Sequence, residues 1–555
     1  MIIGLPEIEA SIAEVQLLCI KAKELLIPNS LAPGMRSAND FLMSLQLTGA
    51  AKKNSLAQLQ VRLPAVVIGG GLTGVDTATE VQAYYFIQLE KVASRYHDCV
   101  KQQGESAFRA HFQAEDLVIL DESLAHYAQW QQAESIALES GIRCDRVALL
   151  REWGGVTIVY RRTMQESPAY QRNHEELTKA LEEGLFYAEG LEPTAVVLDD
   201  AGHCQALRCT SRIMNESGDW MSTDEQQNLP ARSIFVATGA KPNVAYEFEH
   251  HGTFSRERFQ YQRFNNNQGQ LEAASDTPHV KANDFGPFTS YQQNDRRVSF
   301  LGDTHTVFHG SVVKAIASAQ RIYPHIIEHL ENGDKALNEV QHDRFASHME
   351  YQFSARVVSN TVIAEDLIEL IVLAPQAAQC FTPGQFYRLQ NFETLAPKRG
   401  NTLLQMEALA VMAIPVEGET DQLRFLIERK SVNAVLASLL KPNEPIALMG
   451  PSGVKHQLPK VPSTVAVLGG LMGLCYVLSS AKAYQDAGHE LIYAGSLPTR
   501  WQALAKSELS SQIPQSLLID GKVIDALHAL GQSSNDLLAT VDQVYVFGDG
   551  GALRT

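Results

Sequence analysis

Gly69, Gly71 and Gly74 stand at the spacing G-x-G-x-x-G directly behind the apolar run AVVI, and a helical stretch follows them. Glycines so spaced suit a dinucleotide. The first allows a tight turn, the second lets the backbone approach a pyrophosphate, and the third lets helix and strand pack closely. The pyrophosphate would face the amides and the positive dipole end of the helix. A second strand ending in an acid favours the ribose diol of NAD, whereas arginines there favour the 2′-phosphate of NADP. Two candidate strand ends exist: LVIL leads to Asp121, and VTIVY leads to Arg161 and Arg162. Both lie beyond the usual spacing of about 20 residues, which implies an insertion. A planar guanidinium matches a phosphate, so the arginines are preferred and NADP is expected over NAD. The competing reading is a glycine turn that binds nothing, with two solvated arginines beside it.

The elements that must hold these residues can be read from periodicity. Residues 1–62 read as helices and loops, broken at IPNSLAPGM. From about 86 to 150 the chain looks helical and polar, with LVILDE as a short strand-like interruption. HEELTKALEEG reads as a helix with Gly184 as its stop signal. Strands are expected around TAVVLDD, QALRCTS and RSIFVATGAKPN, and a loop-heavy stretch over 245–295. From residue 350 short strands recur at intervals of roughly 10 to 25 residues, which suggests an antiparallel barrel. From 463 strand and helix alternate again, as in a parallel sheet.

Composition limits the function classes. A chain of 555 residues suggests three to four domains. With 45% hydrophobic and 20% charged residues it is an ordinary globular composition, not a disordered or fibrous one. A net charge of −17 argues against a general nucleic-acid binder and against docking on anionic membrane. The seven cysteines (Cys19, Cys99, Cys144, Cys204, Cys209, Cys380 and Cys475) form no C-x-x-C pair. That disfavours a zinc ribbon or an iron–sulfur cluster on the chain, and the scatter fits reduced thiols in a cytoplasmic protein. No apolar run reaches the ~18 residues of a membrane span. No G-x-S-x-G, H-E-x-x-H or P-loop lysine motif is present. His305 and His309, though spaced i, i+4, read as non-ligands. Tyr84, Tyr85 and Trp501 read as packing residues.

The stretches VVIGGGLTGVDTA, VTIVYRRTMQESPA, HEELTKALEEG, IFVATGAKPN and FLGD together resemble the NADPH-and-flavin half of the glutamate synthase small subunit family, over residues 63–325. That resemblance implies that Thr238 and Gly239 lie on the chain crossing beside FAD. It implies that Asp303, after Gly302, accepts hydrogen bonds from the ribityl chain. It also implies that the helix start Gly310-Ser311-Val312-Val313 brings amides to the flavin pyrimidine end. The family's flavin-binding glycine motif lies well ahead of the NADPH one, and residues 1–68 contain no such motif. The family's cysteine-rich iron–sulfur segment is also missing, so the chain reads as truncated at its start, or half of the flavin site comes from elsewhere. An inserted helical stretch separates Gly74 from Tyr160.

Residues 351–555 resemble the ferredoxin–NADP reductase family, especially electron-transfer subunits of the dihydroorotate dehydrogenase type. Pro383-Gly384-Gln385-Phe386 resembles the start of a flavin-barrel strand, and Gly450-Pro451-x-Gly453 the barrel exit. Gly469, Gly470 and Gly473 resemble the turn that receives the nicotinamide dinucleotide, and Gly548-Asp549 the end of its last strand. The family's R-x-Y-S/T flavin motif falls at 407–413, where this chain reads EALAVMA without an arginine.

The expected fold is therefore α/β, with Rossmann-like NAD(P)/FAD-binding domains followed by an antiparallel β-barrel and a second, smaller α/β nucleotide-binding domain. The expected boundaries are 1–62 (partial flavin-domain segment or linker), 63–230 (NAD(P)-binding, with the insertion at about 86–150), 231–345 (C-terminal part of the FAD domain), 350–455 (barrel) and 462–555 (NAD(P)-binding). The expected function is an NAD(P)H-dependent flavoprotein oxidoreductase using FAD and NADP, with NAD possible. Its redox partner would be a protein or iron–sulfur centre outside the chain. The alternatives are a non-catalytic scaffold or fragment of an electron-transfer complex, or a glutamate synthase small subunit proper.

Overall fold

The computed structural model describes residues 14–15, 20–22, 25–242, 247, 251–257, 260–275, 279–293, 296–310, 312–331, 339–453, 456–510, 513, 515–531 and 540–547. The chain divides into two compact units, Met1–Ala51 with Gln58–Ala336, and Lys52–Ala57 with Leu337–Thr555.

The first unit is built on a parallel five-stranded sheet. Its strands are β1 (Met35–Ser37), β2 (Ala65–Ile68), β3 (Val156–Val159), β4 (Phe186–Ala188) and, later in the chain, Ser233–Val236. Their order is β1, Ser233–Val236, β2, β3, β4, with every pairing parallel. All four residues of β2 are buried, as a central strand covered on both faces requires. Helix α1 (Ala38–Leu47) starts at Ser37, whose side chain accepts from Asp40 N. Between β2 and β3 run α2 (Leu72–Gln103), α3 (Glu105–Arg109), α4 (Ala114–Glu139) and α5 (Arg146–Glu152). Helix α6 (Pro168–Glu182) begins with Ser167 as N-cap and Pro168 at its first position, and Gly184 follows its end at φ +99°.

An antiparallel meander of β5 (Leu191–Leu198), β6 (Cys204–Met214) and β7 (Trp220–Pro230) precedes β8 (Ser233–Val236). Val66, Ile68, Val159, Leu191, Val196, Leu207 and Ile234 join sheet and meander in one core. A second sheet contains β9 (Phe264–Asn267), β10 (Gln270–Ala273), β11 (Phe288–Gln293) and β12 (Arg296–Ser299), with Glu14–Val15 parallel to β12 at the edge. Helix α7 (Val312–Glu331) follows it.

Two expectations are corrected here. LVILDE is not a strand, for it lies inside α4, so Asp121 ends no strand and instead pairs with Arg109 at 2.7 Å. A short apolar run carries no period that separates strand from helix, and helical neighbours on both sides decided the outcome. The 245–295 stretch is strand-rich where it is described, because β9–β11 and the pair Arg256–Glu257/Gln260–Tyr261 fall within it.

The second unit opens with a closed six-stranded antiparallel barrel. Its strands are β13 (Ala355–Ala364), β14 (Leu367–Leu373), β15 (Phe386–Asn391), β16 (Leu409–Pro415), β17 (Gln422–Glu428) and β18 (Pro445–Ser452), in the order β13-β14-β17-β16-β15-β18. Inward residues alternate with outward ones, and Ile368, Leu370, Tyr387, Leu389 and Phe425 fill the interior. A parallel sheet follows, built from β19 (Thr464–Gly469), β20 (Glu490–Ser496), β21 (Ser516–Ile519) and β22 (Gln543–Phe547) in the order β21-β20-β19-β22. Its helices are α8 (Leu471–Asp486), α9 (Thr499–Leu509) and α10 (Val523–Gly531). Barrel and sheet share a core, since Leu367, Ile414 and Leu426 pack with Val465, Val477 and Trp501. Arg424 on β17 bonds Glu369 at 2.5 Å and reaches both oxygens of Glu508 on α9. Segment 52–57 belongs to this unit: Leu403 N donates to the Asn54 carbonyl at 2.8 Å.

The fold is thus α/β, with parallel Rossmann-like sheets and a closed antiparallel barrel, as the sequence led one to expect.

Candidate functional site

The glycine turn behind β2 separates the three glycines by what surrounds them. Gly69 has φ +137°, and a Cβ there would lie 2.3 Å from the Ala237 carbonyl oxygen. A Cβ on Gly74 would lie 2.5 Å from the Gly69 carbonyl oxygen, and one on Gly70 would lie 2.6 Å from the Tyr160 ring. These positions need glycine for packing. Gly71 is different, because nothing lies within 4 Å of its Cβ position. It is the N-cap of α2, where the first amides of the helix have no intrahelical acceptor and the dipole end is positive. That is the arrangement an anionic pyrophosphate uses.

The sheet brings the neighbours of the turn into place. Register pairs Ile68 with Val236 on one side and with Val159 on the other. Ala237 N donates to the Ile68 carbonyl at 2.8 Å, so Thr238 and Gly239 leave β8 beside the glycine turn. Tyr160, Arg161 and Arg162 leave β3 on the opposite side. Arg161 is exposed and has no side-chain hydrogen bond or ion pair among the described residues. Arg162 is exposed, 3.9 Å from Glu166.

The flavin-type residues form a second group in the same unit. Strand Ala240–Pro242, just past Gly239, lies against the turn Gly302–Thr304. Gly302, at φ +69°, donates its N–H to Ser318 Oγ on α7 at 2.8 Å. Asp303 Oδ1 accepts from Gly310 N at 2.8 Å. Val312 and Val313, in the first turn of α7, are each 76% exposed. Ser311 lies outside the described residues. One link was not legible in the sequence: Arg172 on α6 donates to the Gly310 carbonyl at 2.7 Å, tying the helix after β3 to the loop before α7. Asn173, beside it, is non-helical at φ −156°, ψ 74° and kinks α6.

The Asp76 carboxyl on α2 is pushed up to about 6 by burial, by the charge of Glu176 and by a hydrogen bond with it. His305 is fully buried, stacked on Phe300 at 4.6 Å, with Nε2 3.0 Å from the Gly286 carbonyl. Burial lowers it to about 4, so it is a neutral packing residue. His309 is exposed. Burial pushes the Cys204 and Cys209 thiols up to about 11 and about 12. Among the described residues no group of three His, Cys, Asp or Glu side chains is arranged to hold a metal ion.

In the second unit Gly469, Gly470 and Gly473 join β19 to α8. A Cβ on Gly469 would lie 2.7 Å from the Phe547 carbonyl oxygen, whereas the nearest atom to one on Gly470 is Ser496 O at 3.4 Å. A Cβ on Gly473 would sit 3.4 Å from the Tyr493 ring. Tyr493, absent from the sequence reading, places its hydroxyl 3.0 Å from both the Gly469 and Gly470 carbonyls. Gly548-Asp549 lies outside the described residues. On the barrel, Gln385 donates to the Gly453 carbonyl at 3.2 Å, which joins Pro383–Phe386 to Gly450–Gly453. The 407–413 stretch supplies most of β16. The cation that the register sets beside it is Arg388, exposed on β15 opposite Ala410.

No protein-family model matches the chain. The chain is 27% identical over 451 residues to an uncharacterized protein, RP006, of Rickettsia prowazekii (strain Madrid E), covering 79% of this chain and 54% of the relative. It therefore spans about half the length of the curated relative it matches. Among solved structures, Mycobacterium tuberculosis FprA in complex with NADPH is 14% identical, covering 61% of this chain and 69% of that one, at a TM-score of 0.32. An NADH-dependent reduced ferredoxin–NADP oxidoreductase is 19% identical over 32% of this chain and 63% of that one, at 0.28. Phthalate dioxygenase reductase is 16% identical over 37% and 63%, at 0.27.

Among the described residues no helix is long and apolar enough to cross a membrane.

Proposed function

We propose that the chain is an NAD(P)H-dependent flavoprotein oxidoreductase, passing electrons from NADPH through FAD to a further redox partner. The observation that carries this reading is the open backbone at Gly71, between Gly69 and Gly74 whose Cβ positions are blocked by carbonyl oxygens. A turn kept only for packing has no reason to leave its middle glycine bare at an uncapped helix start. Arg161, exposed at the end of the adjacent strand, suits the 2′-phosphate of NADP.

The residues fit part of a flavin. Asp303 has one oxygen occupied by Gly310 N and a second oxygen to accept from a ribityl hydroxyl. The first-turn amides of α7 are oriented to stabilise negative charge, and the exposed Val312 and Val313 offer an apolar rest for a ring. No second glycine motif stands ahead of Gly69 for the FAD pyrophosphate. Bound flavin would supply the hydride and electron chemistry, so no acid–base residue of the chain is required. The chain's part is positional. The Gly69–Gly74 turn holds the dinucleotide, Thr238–Gly239 borders it, and Arg172 fixes the Gly310 loop to the nucleotide side. The domain boundaries given above, the glutamate-synthase-like identity of the first unit and the ferredoxin-reductase-like identity of the second belong to this proposal.

A second reading, a scaffold within an electron-transfer complex, is favoured by one observation: β16 carries no arginine where the barrel family holds flavin phosphate. An anaerobic titration with NADPH, following flavin absorbance of the purified chain with added FAD, separates the two. Bleaching supports the reductase. A chain that neither takes up FAD nor responds to NADPH supports the scaffold.

A further inference from the structure

The meander β5–β7 has no role in the nucleotide reading, yet it holds the turn that carries the two arginines. Leu191 N donates to the Tyr160 carbonyl at 3.1 Å, and Gly190 N donates to the Arg162 carbonyl at 3.2 Å. Gly190 stands at φ +65°, where a Cβ would lie 3.0 Å from the Arg212 carbonyl oxygen and 3.6 Å from the Trp220 ring. Trp220, the first residue of β7, therefore lies against the residue that anchors the arginine turn. Its indole N–H donates to Glu166, with Nε1 3.2 Å from each carboxylate oxygen. That contact joins the meander to the turn across 54 residues of sequence.

Glu166 closes the short helix Met164–Glu166, whose N-cap is Thr163. Its Oε2 accepts from the Thr163 hydroxyl at 2.8 Å and from the Thr163 N–H at 3.3 Å, a reciprocal cap. Hydrogen bonds from the Thr163 hydroxyl first, and then from the Trp220 indole, hold its carboxyl below the ordinary value. A carboxylate thus stands in the same turn as both arginines. Arg162, with 47% of its side chain exposed, stays 3.9 Å from it, which is a weak pairing. Arg161 makes no side-chain hydrogen bond or ion pair among the described residues. A phosphate is held best by guanidinium groups that no carboxylate occupies. A ribose diol gains from an acid instead. The placing of Glu166 therefore bears on the choice between NADPH and NADH.

Resting on the nucleotide reading above, we propose that Trp220 is a positioning residue for nucleotide specificity. It holds Glu166 to the meander, which keeps the carboxylate off Arg161 and Arg162 and leaves them for the 2′-phosphate of NADPH. Calorimetric titration of the full chain with NADPH and with NADH tests it. The parent binds NADPH the more tightly. Trp220→Phe keeps a ring but loses the N–H, and it lowers the NADPH-to-NADH affinity ratio at least tenfold, through NADPH alone. Adding Glu166→Ala to Trp220→Phe restores the ratio, because the released carboxylate is gone. A ring that only supported the meander would give no such rescue. Thr163→Val removes the other side-chain donor to Glu166, lowers the ratio likewise, and serves should Trp220→Phe fail to fold. The parent ratio retained in the folded variant, equal losses for NADPH and NADH, or no rescue by Glu166→Ala overturns the proposal. A parent chain that binds neither nucleotide, or both alike, overturns the nucleotide reading itself and the proposal with it.

Discussion

Substituting Gly71 and Gly74 separately divides the packing role of the turn from its ligand role. Gly71 sits at φ −91°, ψ 167°, which alanine adopts freely, and its Cβ would meet nothing within 4 Å. Replacing glycine by alanine lowers the entropy of the unfolded chain, a gain of about 0.4–1 kcal/mol. Alanine is a poorer N-cap than glycine, by roughly 0.5–1 kcal/mol. The two terms offset, so Gly71→Ala should fold with a stability within about 1 kcal/mol of the parent. Its methyl group, however, occupies the space through which a pyrophosphate must approach. NADPH affinity should fall at least tenfold, about 1.4 kcal/mol. Gly74→Ala acts in the opposite sense. Its Cβ would stand 2.5 Å from a backbone carbonyl that cannot swing aside, so helix or strand must shift. Overpacking of about 1–3 kcal/mol, less about 1 kcal/mol of gained helix propensity, leaves a loss of up to about 2 kcal/mol. Urea unfolding gives the stabilities, and titration of intrinsic fluorescence with NADPH gives the affinities. Unchanged NADPH binding in a well-folded Gly71→Ala protein would refute the assignment of pyrophosphate to this turn.

Arg161→Ala should weaken NADPH at least tenfold more than NADH, about 1.4 kcal/mol of selectivity, while equal losses would reject the 2′-phosphate role. Because the Asp76 carboxyl is raised to about 6 in the folded chain against 3.8 as its ordinary value, the folded state binds the proton more tightly. Its stabilising effect is full below about pH 4 and lost as pH rises through about 6. Solvent at Asp76 keeps this under about 1 kcal/mol. Asp76→Asn should flatten the urea midpoint between pH 4.5 and 7.5, and an unaltered slope would assign the pH dependence to another group. Tyr493→Phe removes the hydroxyl shared by the Gly469 and Gly470 carbonyls and should cost about 1–2 kcal/mol of stability in the second unit, read by urea unfolding.

The glycine spacing, the arginine pair after VTIVY, the barrel's recurring short strands and the final alternation of strand and helix were all legible, because each is a local pattern with one dominant physical cause. Gly69 needs a positive φ, and inward residues of a barrel strand need period two. LVILDE shows where local pattern fails: four apolar residues satisfy a strand or a buried helix turn, and only the facing helix made them a wall of the groove between α2 and α4.

What the sequence determined by itself was the local pieces: a glycine turn between strand and helix, a strand end carrying two arginines, and parallel sheets with a barrel between them. What the tertiary structure decided was which residues meet. The carbonyl of Ala237 explains Gly69, from a strand far along the chain. Arg172 reaches Gly310, Tyr493 holds the second glycine turn, and Arg388 stands opposite Ala410 through sheet register alone. Such contacts depend on strand order and helix crossing, which are fixed by how whole buried faces fit together. A single chain of letters encodes them only through the collective packing of the core.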